Sequence, residues 1–134
     1  MTNLVKKILL VDDEERLLDS MAQRLMLMGF EVTKASSGTR AIEIASKTQV
    51  DMAIVDLKMP DMDGLITIVK LKEIIPDLKT VLLTGYGSEK TRQETEALGS
   101  GYFEKDSMGD LWDLIKQVNA QGNAVVLKPS SSTT

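Results

Sequence analysis

The stretch Lys7-Ile8-Leu9-Leu10-Val11-Asp12-Asp13 decides the fold. Four aliphatic residues follow one another without alternation, and two acids then end the run. A strand with one wet face alternates apolar and polar residues, whereas an unbroken Ile/Leu/Val run suits a strand buried on both faces. Met52–Val55 and Thr80–Leu83 have the same character. Phe30–Lys34 alternates more and reads as an edge strand. Gly101–Glu104 is a short aromatic fifth strand.

Between these runs the apolar period becomes helical. Leu17, Leu18, Met21, Leu25 and Met28 recur at helical spacing, and Gly29 is placed to end that helix. Ala41, Ile42 and Ala45 predict a second, shorter helix after Gly38. Leu65, Ile68, Val69, Leu71 and Ile75 predict a third, stopped by Pro76. Met108, Leu111, Trp112, Ile115 and Val118 mark the last. The fourth, about Ser88 to Leu98, has few apolar anchors and two threonines, so it is expected to dock weakly. Five β-α units in succession define an α/β fold. They imply a parallel sheet with right-handed crossovers and helices on both faces. Such sheets place ligands outside the carboxyl ends of their strands.

A length of 134 residues fits one domain, expected over 1–119, with 120–134 as a C-terminal tail or linker stub. In that tail Ala124–Leu127 is apolar and Lys128–Thr134 is polar. Without cysteine there is no disulfide, thiolate metal site or cysteine nucleophile. Without histidine there is no Ser-His-Asp catalysis and no phosphohistidine on this chain. The net charge of −4, with no basic stripe, argues against direct nucleic-acid binding. The apolar run at 8–11 is too short for a signal peptide or a membrane span, so a cytoplasmic protein is expected.

The polar residues at the strand ends carry the chemistry. Asp12 and Asp13 follow the first strand, Asp56 ends the third, Thr84 ends the fourth and Lys105 follows the fifth. Taken singly, each has an ordinary role: Asp13-Glu14-Glu15 suits a helix start, Asp56 a strand end, Thr84-Gly85 a turn and Lys105 a solvated surface. Together they place chemistry at four strand ends that converge on one point. Three close carboxylates repel one another, and a hard divalent cation with oxygen preference relieves that conflict. Asp56 is then suited to attack phosphorus, with the cation, Lys105 and Thr84 each available to one phosphoryl oxygen.

These residues resemble the receiver domains of bacterial two-component response regulators. The matching blocks are Ile8–Glu14, Asp56–Gly64, Leu83–Gly87 and Gly101–Lys105, and the likeness covers about residues 5–119. The resemblance implies a flavodoxin-like (βα)5 three-layer sandwich with strand order 2-1-3-4-5. It implies Asp56 as phosphoacceptor, with Asp13 binding Mg²⁺ directly and Asp12 largely through water. The Lys58 backbone carbonyl completes the ligands, and Mn²⁺ is an expected substitute. Lys105 and Thr84 would contact the phosphoryl group, assisted by the amides of Leu57 and Gly85. Tyr102 would move inward with Thr84, having lain exposed over a groove at rest. Lys58 and Tyr86, two residues beyond Asp56 and Thr84, would flank the hydrolytic water and slow dephosphorylation.

By the same resemblance the chain is a phosphoacceptor signalling domain. It is not an enzyme beyond catalysing its own phosphotransfer and slow autodephosphorylation. Its partners would be a sensor histidine kinase or phosphotransfer protein and a downstream protein or output domain, with a phosphorylation-dependent dimer among the outputs. Switching is expected through the face of the fourth helix, fifth strand and fifth helix. One departure stands out: the family usually has a cis proline after the lysine, and this chain has Asp106. A non-proline cis bond costs about 3–4 kcal/mol, so a trans or a strained cis bond is expected. A dehalogenase-type phosphatase would need a second Asp where Lys58 stands. A flavodoxin-like cofactor binder would need a small-residue phosphate loop where Asp12–Glu15 stand.

Overall fold

The computed structural model describes residues 5–119. The chain order is β1 (Lys7–Val11), α1 (Glu15–Leu27), β2 (Glu31–Ala35), α2 (Gly38–Lys47), β3 (Met52–Asp56), α3 (Gly64–Ile74), β4 (Lys79–Thr84), α4 (Glu89–Ala97), β5 (Gly101–Glu104) and α5 (Met108–Asn119). All neighbouring strands are parallel, in the order β2-β1-β3-β4-β5. This is the expected doubly wound architecture. The expected tail at 120–134 lies outside the described residues.

The three central strands bury both faces, which is why their sequences do not alternate. Ile8, Leu10, Ile54, Val81 and Leu83 face a layer containing Leu18, Met21, Leu25, Leu111 and Ile115 of α1 and α5. Leu9, Val11, Ala53, Val55 and Leu82 face a second layer with Ala41, Ile44, Ile68 and Leu71 of α2 and α3. Phe30 precedes β2 rather than beginning it, and β2 lies at an edge with only Ala35 fully buried. Gly29 ends α1 at φ +102°, a left-handed conformation that favours glycine. α4 buries only Thr95, so it docks through little apolar surface. Among the described residues, no helix is long and apolar enough to cross a membrane.

Two features bring the strand ends together. β1 and β3 are adjacent, with Val11 beside Val55, so Asp12 and Asp56 leave the sheet at nearly the same level. The β3–α3 loop then folds back tightly, and the Gly64 amide donates to the Leu57 carbonyl at 2.7 Å. A Cβ at Gly64 would overlap the Asp56 carbonyl oxygen and press on Leu82. Gly64→Ala is therefore expected to destabilise the protein by about 2–3 kcal/mol, the scale of overpacking a filled interior. Urea unfolding checks this; an unchanged midpoint would contradict the close approach.

Candidate functional site

Asp12, Asp13 and Asp56 meet at the carboxyl edge of the sheet. One carboxylate oxygen from each lies within 4.8 Å of the others. Asp12 and Asp56 are buried and Asp13 is exposed, so the cluster has a dry floor and an open side. Asp12 accepts the Glu14 amide at 2.8 Å, which fixes its carboxylate in the turn before α1. α1 has no side-chain cap, so the ordinary helix-capping role for Asp13 is not realised.

Lys105 reaches over this cluster from the end of β5. Its Nζ lies 2.9 Å from Asp12 Oδ2 and 3.2 Å from Asp56 Oδ1. A third acid, Glu14, stands 3.6 Å from the same ammonium. Sequence alone offers no sign of that contact beyond a third acid in a row, because its direction depends on where β5 ends. Lys105, Asp106 and Ser107 form a short 3₁₀ turn that runs into α5. The Lys105–Asp106 peptide is trans, and Asp106 is exposed.

Charge balance at this point is unequal. Burial pushes the Asp56 carboxyl up, to about 6 from 3.8; the neighbouring Asp12 charge adds to this, Lys105 opposes it and Asp13 contributes least. Burial alone would depress the Lys105 ammonium. The hydrogen bond and charge of Asp12, joined by Asp56, outweigh burial and hold it above its ordinary value. One cation thus sits among more negative charge than it balances. A hard divalent cation suits the remainder: the donors are carboxylate oxygens on converging backbones, one is exposed for exchange, and no soft ligand is present in the cluster.

Thr84 stands beside the acids instead of joining them. It is buried, and its Oγ1 accepts the Tyr86 amide at 2.9 Å. With Lys105 it lines a cleft of about 400 Å³ that also includes Gly85, Gly87, Glu104 and Asp106. Tyr102 departs from the expectation of an exposed ring. It is half-buried, its hydroxyl donates to Glu104 Oε2 at 3.0 Å, and Arg92 of α4 stacks on its ring at 4.7 Å. It covers Gly87, where a Cβ would overlap the tyrosine hydroxyl. The reason is β-strand geometry: Tyr102 and Glu104 are two apart and share a face, so the carboxylate holds the ring down. Lys58 and Tyr86 meet across the two loops bordering the acids, with Nζ 4.7 Å from the ring centroid. A larger cleft, about 520 Å³, lies at the amino end of the sheet. Its Asp51 accepts the Lys6 and Lys7 amides, and among the described residues the acid cluster of metal-binding dimensions lies at the opposite, carboxyl edge.

An open, doubly wound sheet with buried acids and a lysine at its carboxyl edge defines a class of small phosphoryl- or nucleotide-handling α/β proteins. The particular family follows from comparison: the model of the response regulator receiver domain matches residues 8–119, and the chain belongs to that family. It is 30% identical to sporulation initiation phosphotransferase F of Bacillus subtilis over 114 residues, covering 84% of this chain and 92% of that protein. The CheY-like receiver domain from Methanospirillum hungatei is 30% identical with a TM-score of 0.80, covering 87% of this chain and 95% of that one. A Burkholderia pseudomallei response regulator carrying a phosphorylated aspartic acid and a calcium ion is 27% identical, with a TM-score of 0.74 and coverage of 91% and 77%. TrrA from Thermotoga maritima, in complex with Mg²⁺-BeF, is 25% identical, with a TM-score of 0.73 and coverage of 84% and 98%. The chain spans only 17% to 21% of the longer transcriptional regulators DctD, GlrR and AtoC.

The raised Asp56 value has a measurable consequence. The folded protein holds this proton more tightly than the unfolded chain does, so stability falls as pH rises between 3.8 and about 6. In metal-free buffer, Asp56→Asn is expected to stabilise the fold at neutral pH by on the order of 2 kcal/mol. The advantage should shrink as pH falls below about 6 and vanish only well below 3.8, where Asp56 is protonated in both states. Thermal or urea unfolding across this range tests it, and a pH-independent difference would count against the charge conflict.

Proposed function

We propose that this receiver accepts a phosphoryl group on Asp56 in a reaction that needs a divalent cation. The observation that carries this reading is a buried Asp56 carboxylate held 3.2 Å from the Lys105 ammonium within an acid cluster of metal-binding dimensions. Asp13 and Asp56, Asp12 through water and the Lys58 backbone carbonyl would hold Mg²⁺, or Mn²⁺ in its place. When bound, the cation supplies positive charge to the acids and to a phosphoryl oxygen. Asp56 Oδ forms the new bond to phosphorus as the bond to the donor's nitrogen or oxygen breaks, and the donor departs with that electron pair. Lys105 stabilises charge on the transferring oxygens, and Thr84 donates its hydroxyl once it turns from the Tyr86 amide. The Leu57 and Gly85 amides assist.

The donor would be a phosphohistidine on a sensor kinase or phosphotransfer protein, in the cytoplasm. The domain would comprise residues 1–119, with 120–134 as a tail or linker to an output. Turning Thr84 loosens the loop beneath Tyr102, and the ring must then leave Glu104 to move inward. Arg92 ties that movement to α4, whose own docking is light. The α4–β5–α5 face would thereby change its affinity for a downstream protein, an output domain or a second copy. The chain's own chemistry would be limited to taking up and slowly losing this group.

Incubation of the full chain with acetyl phosphate and Mg²⁺, followed by intact mass, is expected to show a gain of one phosphoryl group. Asp56→Asn and added EDTA should each abolish it; uptake that persists in either would overturn the proposal. Lys58 and Tyr86, in contact across their two loops, would flank the path of the hydrolytic water, so Lys58→Ala or Tyr86→Ala should shorten the phosphoprotein lifetime about 3–10-fold, a drop of roughly 1 kcal/mol in the barrier. Decay followed by mass at intervals would reveal it, and unchanged lifetimes would remove the shielding role.

A further inference from the structure

The β3–α3 loop carries the Leu57 amide and the Lys58 carbonyl, yet it is fastened to the rest of the fold at a point remote from both. Asp61, near its middle, turns away from the acid cluster towards the amino end of α2. Its Oδ2 accepts the Thr39 amide at 2.8 Å and the Thr39 hydroxyl at 2.6 Å. Its Oδ1 accepts the Gly38 amide at 3.3 Å. These amides belong to the first turn of α2, where backbone donors lack helical partners and the helix dipole favours an anion. The cap of α2 itself is Ser37, whose side chain accepts the Arg40 amide, so Asp61 is an additional clasp.

The same contact is built from the α2 side. Gly38 is buried, and a Cβ there would crowd Met62 Cγ and Thr67 Oγ1. The loop can therefore lie against α2 only because residue 38 has no side chain. Beyond Asp61 the loop is held again: Asp63 caps α3 by accepting the Ile66 amide at 2.9 Å, and Gly64 closes onto Leu57. The span from Leu57 to Gly64 is thus tied at its two ends and at Asp61. Release of the middle tie leaves Lys58 to Met62 with no other side-chain bond to the neighbouring helix among the described residues.

We propose that Asp61 is a positioning residue: by clasping the start of α2 it holds the Lys58 carbonyl and Leu57 amide where a divalent cation and a phosphoryl group at Asp56 require them. The proposal rests on the phosphoacceptor reading above. Groups that orient a metal's ligands without touching it commonly change metal affinity by about 10-fold or more when removed. Asp61 would act in that manner through the backbone.

The test compares the full chain with its Asp61→Ala, Asp61→Asn and Thr39→Val variants. Mg²⁺ alone is titrated calorimetrically, and amide exchange is followed in metal-free protein. Asp61→Ala is expected to weaken Mg²⁺ binding by about 10-fold and to speed exchange across residues 57–62, while amides of β1 and β3 keep their protection. Asp61→Asn and Thr39→Val should give smaller losses in the same direction, and Thr39→Val should add little to Asp61→Ala because both cut one clasp. At saturating Mg²⁺ all variants should reach the wild-type extent of phosphorylation. Unchanged affinity and loop exchange would overturn the proposal. So would equal weakening in the Ala and Asn variants with a quiet loop, because that is the mark of a lost long-range charge. If the wild-type chain takes no phosphoryl group on Asp56, the functional reading fails and this inference falls with it; if wild type is phosphorylated and the variants match it in Mg²⁺ affinity and loop exchange, this inference alone fails.

Discussion

The arrangement depends on a conflict of charge held in place by the sheet. Asp12 and Asp56 are buried side by side because β1 and β3 are parallel neighbours that end at the same level. Burial disfavours two carboxylates so placed, and the Lys105 ammonium offsets only part of the cost. A site with unbalanced negative charge, a dry floor and an exposed third acid favours a small cation with oxygen preference. The same imbalance means that Lys105 is engaged with the acids before any phosphoryl group arrives. Phosphotransfer would exchange one set of partners for another around a lysine already in position.

The fold manages this strain by making the surroundings rigid on one side and yielding on the other. β1, β3 and β4 are packed on both faces, and the β3–α3 loop is closed by the Gly64 amide and clasped by Asp61. On the other side, Thr84, Gly85 and Gly87 lead into a helix with a single buried residue. Tyr102 bridges this softer region, held by a carboxylate on its own strand and a guanidinium on α4. On the proposed reading, a signal that redirected the Thr84 hydroxyl would meet little apolar packing on its way to α4.

Much of this was legible in the sequence for a definite reason. Unbroken aliphatic runs record burial on both faces, and a helical period between them records crossovers, so the element order followed directly. The strand-end acids and Lys105 were legible because a parallel sheet delivers all carboxyl ends to one edge. Family resemblance then supplied roles and the strand order. Less legible were contacts that join separate loops. Glu14 to Lys105, Lys58 to Tyr86, Asp61 to Thr39 and Tyr102 to Arg92 depend on side-chain directions that no spacing rule sets. The expectation of an exposed Tyr102 failed for this reason, since it considered the strand and not the helix lying over it.

By itself the sequence determined the alternation of strands and helices, the exclusion of histidine and cysteine chemistry, and which residues end the strands. Those properties are local: residue type, period and turn chemistry act over a few positions. Only the tertiary structure decided that Asp13 is free of a capping role, that Thr84 is turned towards Tyr86 and that Asp61 fastens its loop to α2. The clasp joins segments far apart in the chain, and the two local features depend on side-chain directions that packing selects; both are set when the two apolar layers close around the sheet.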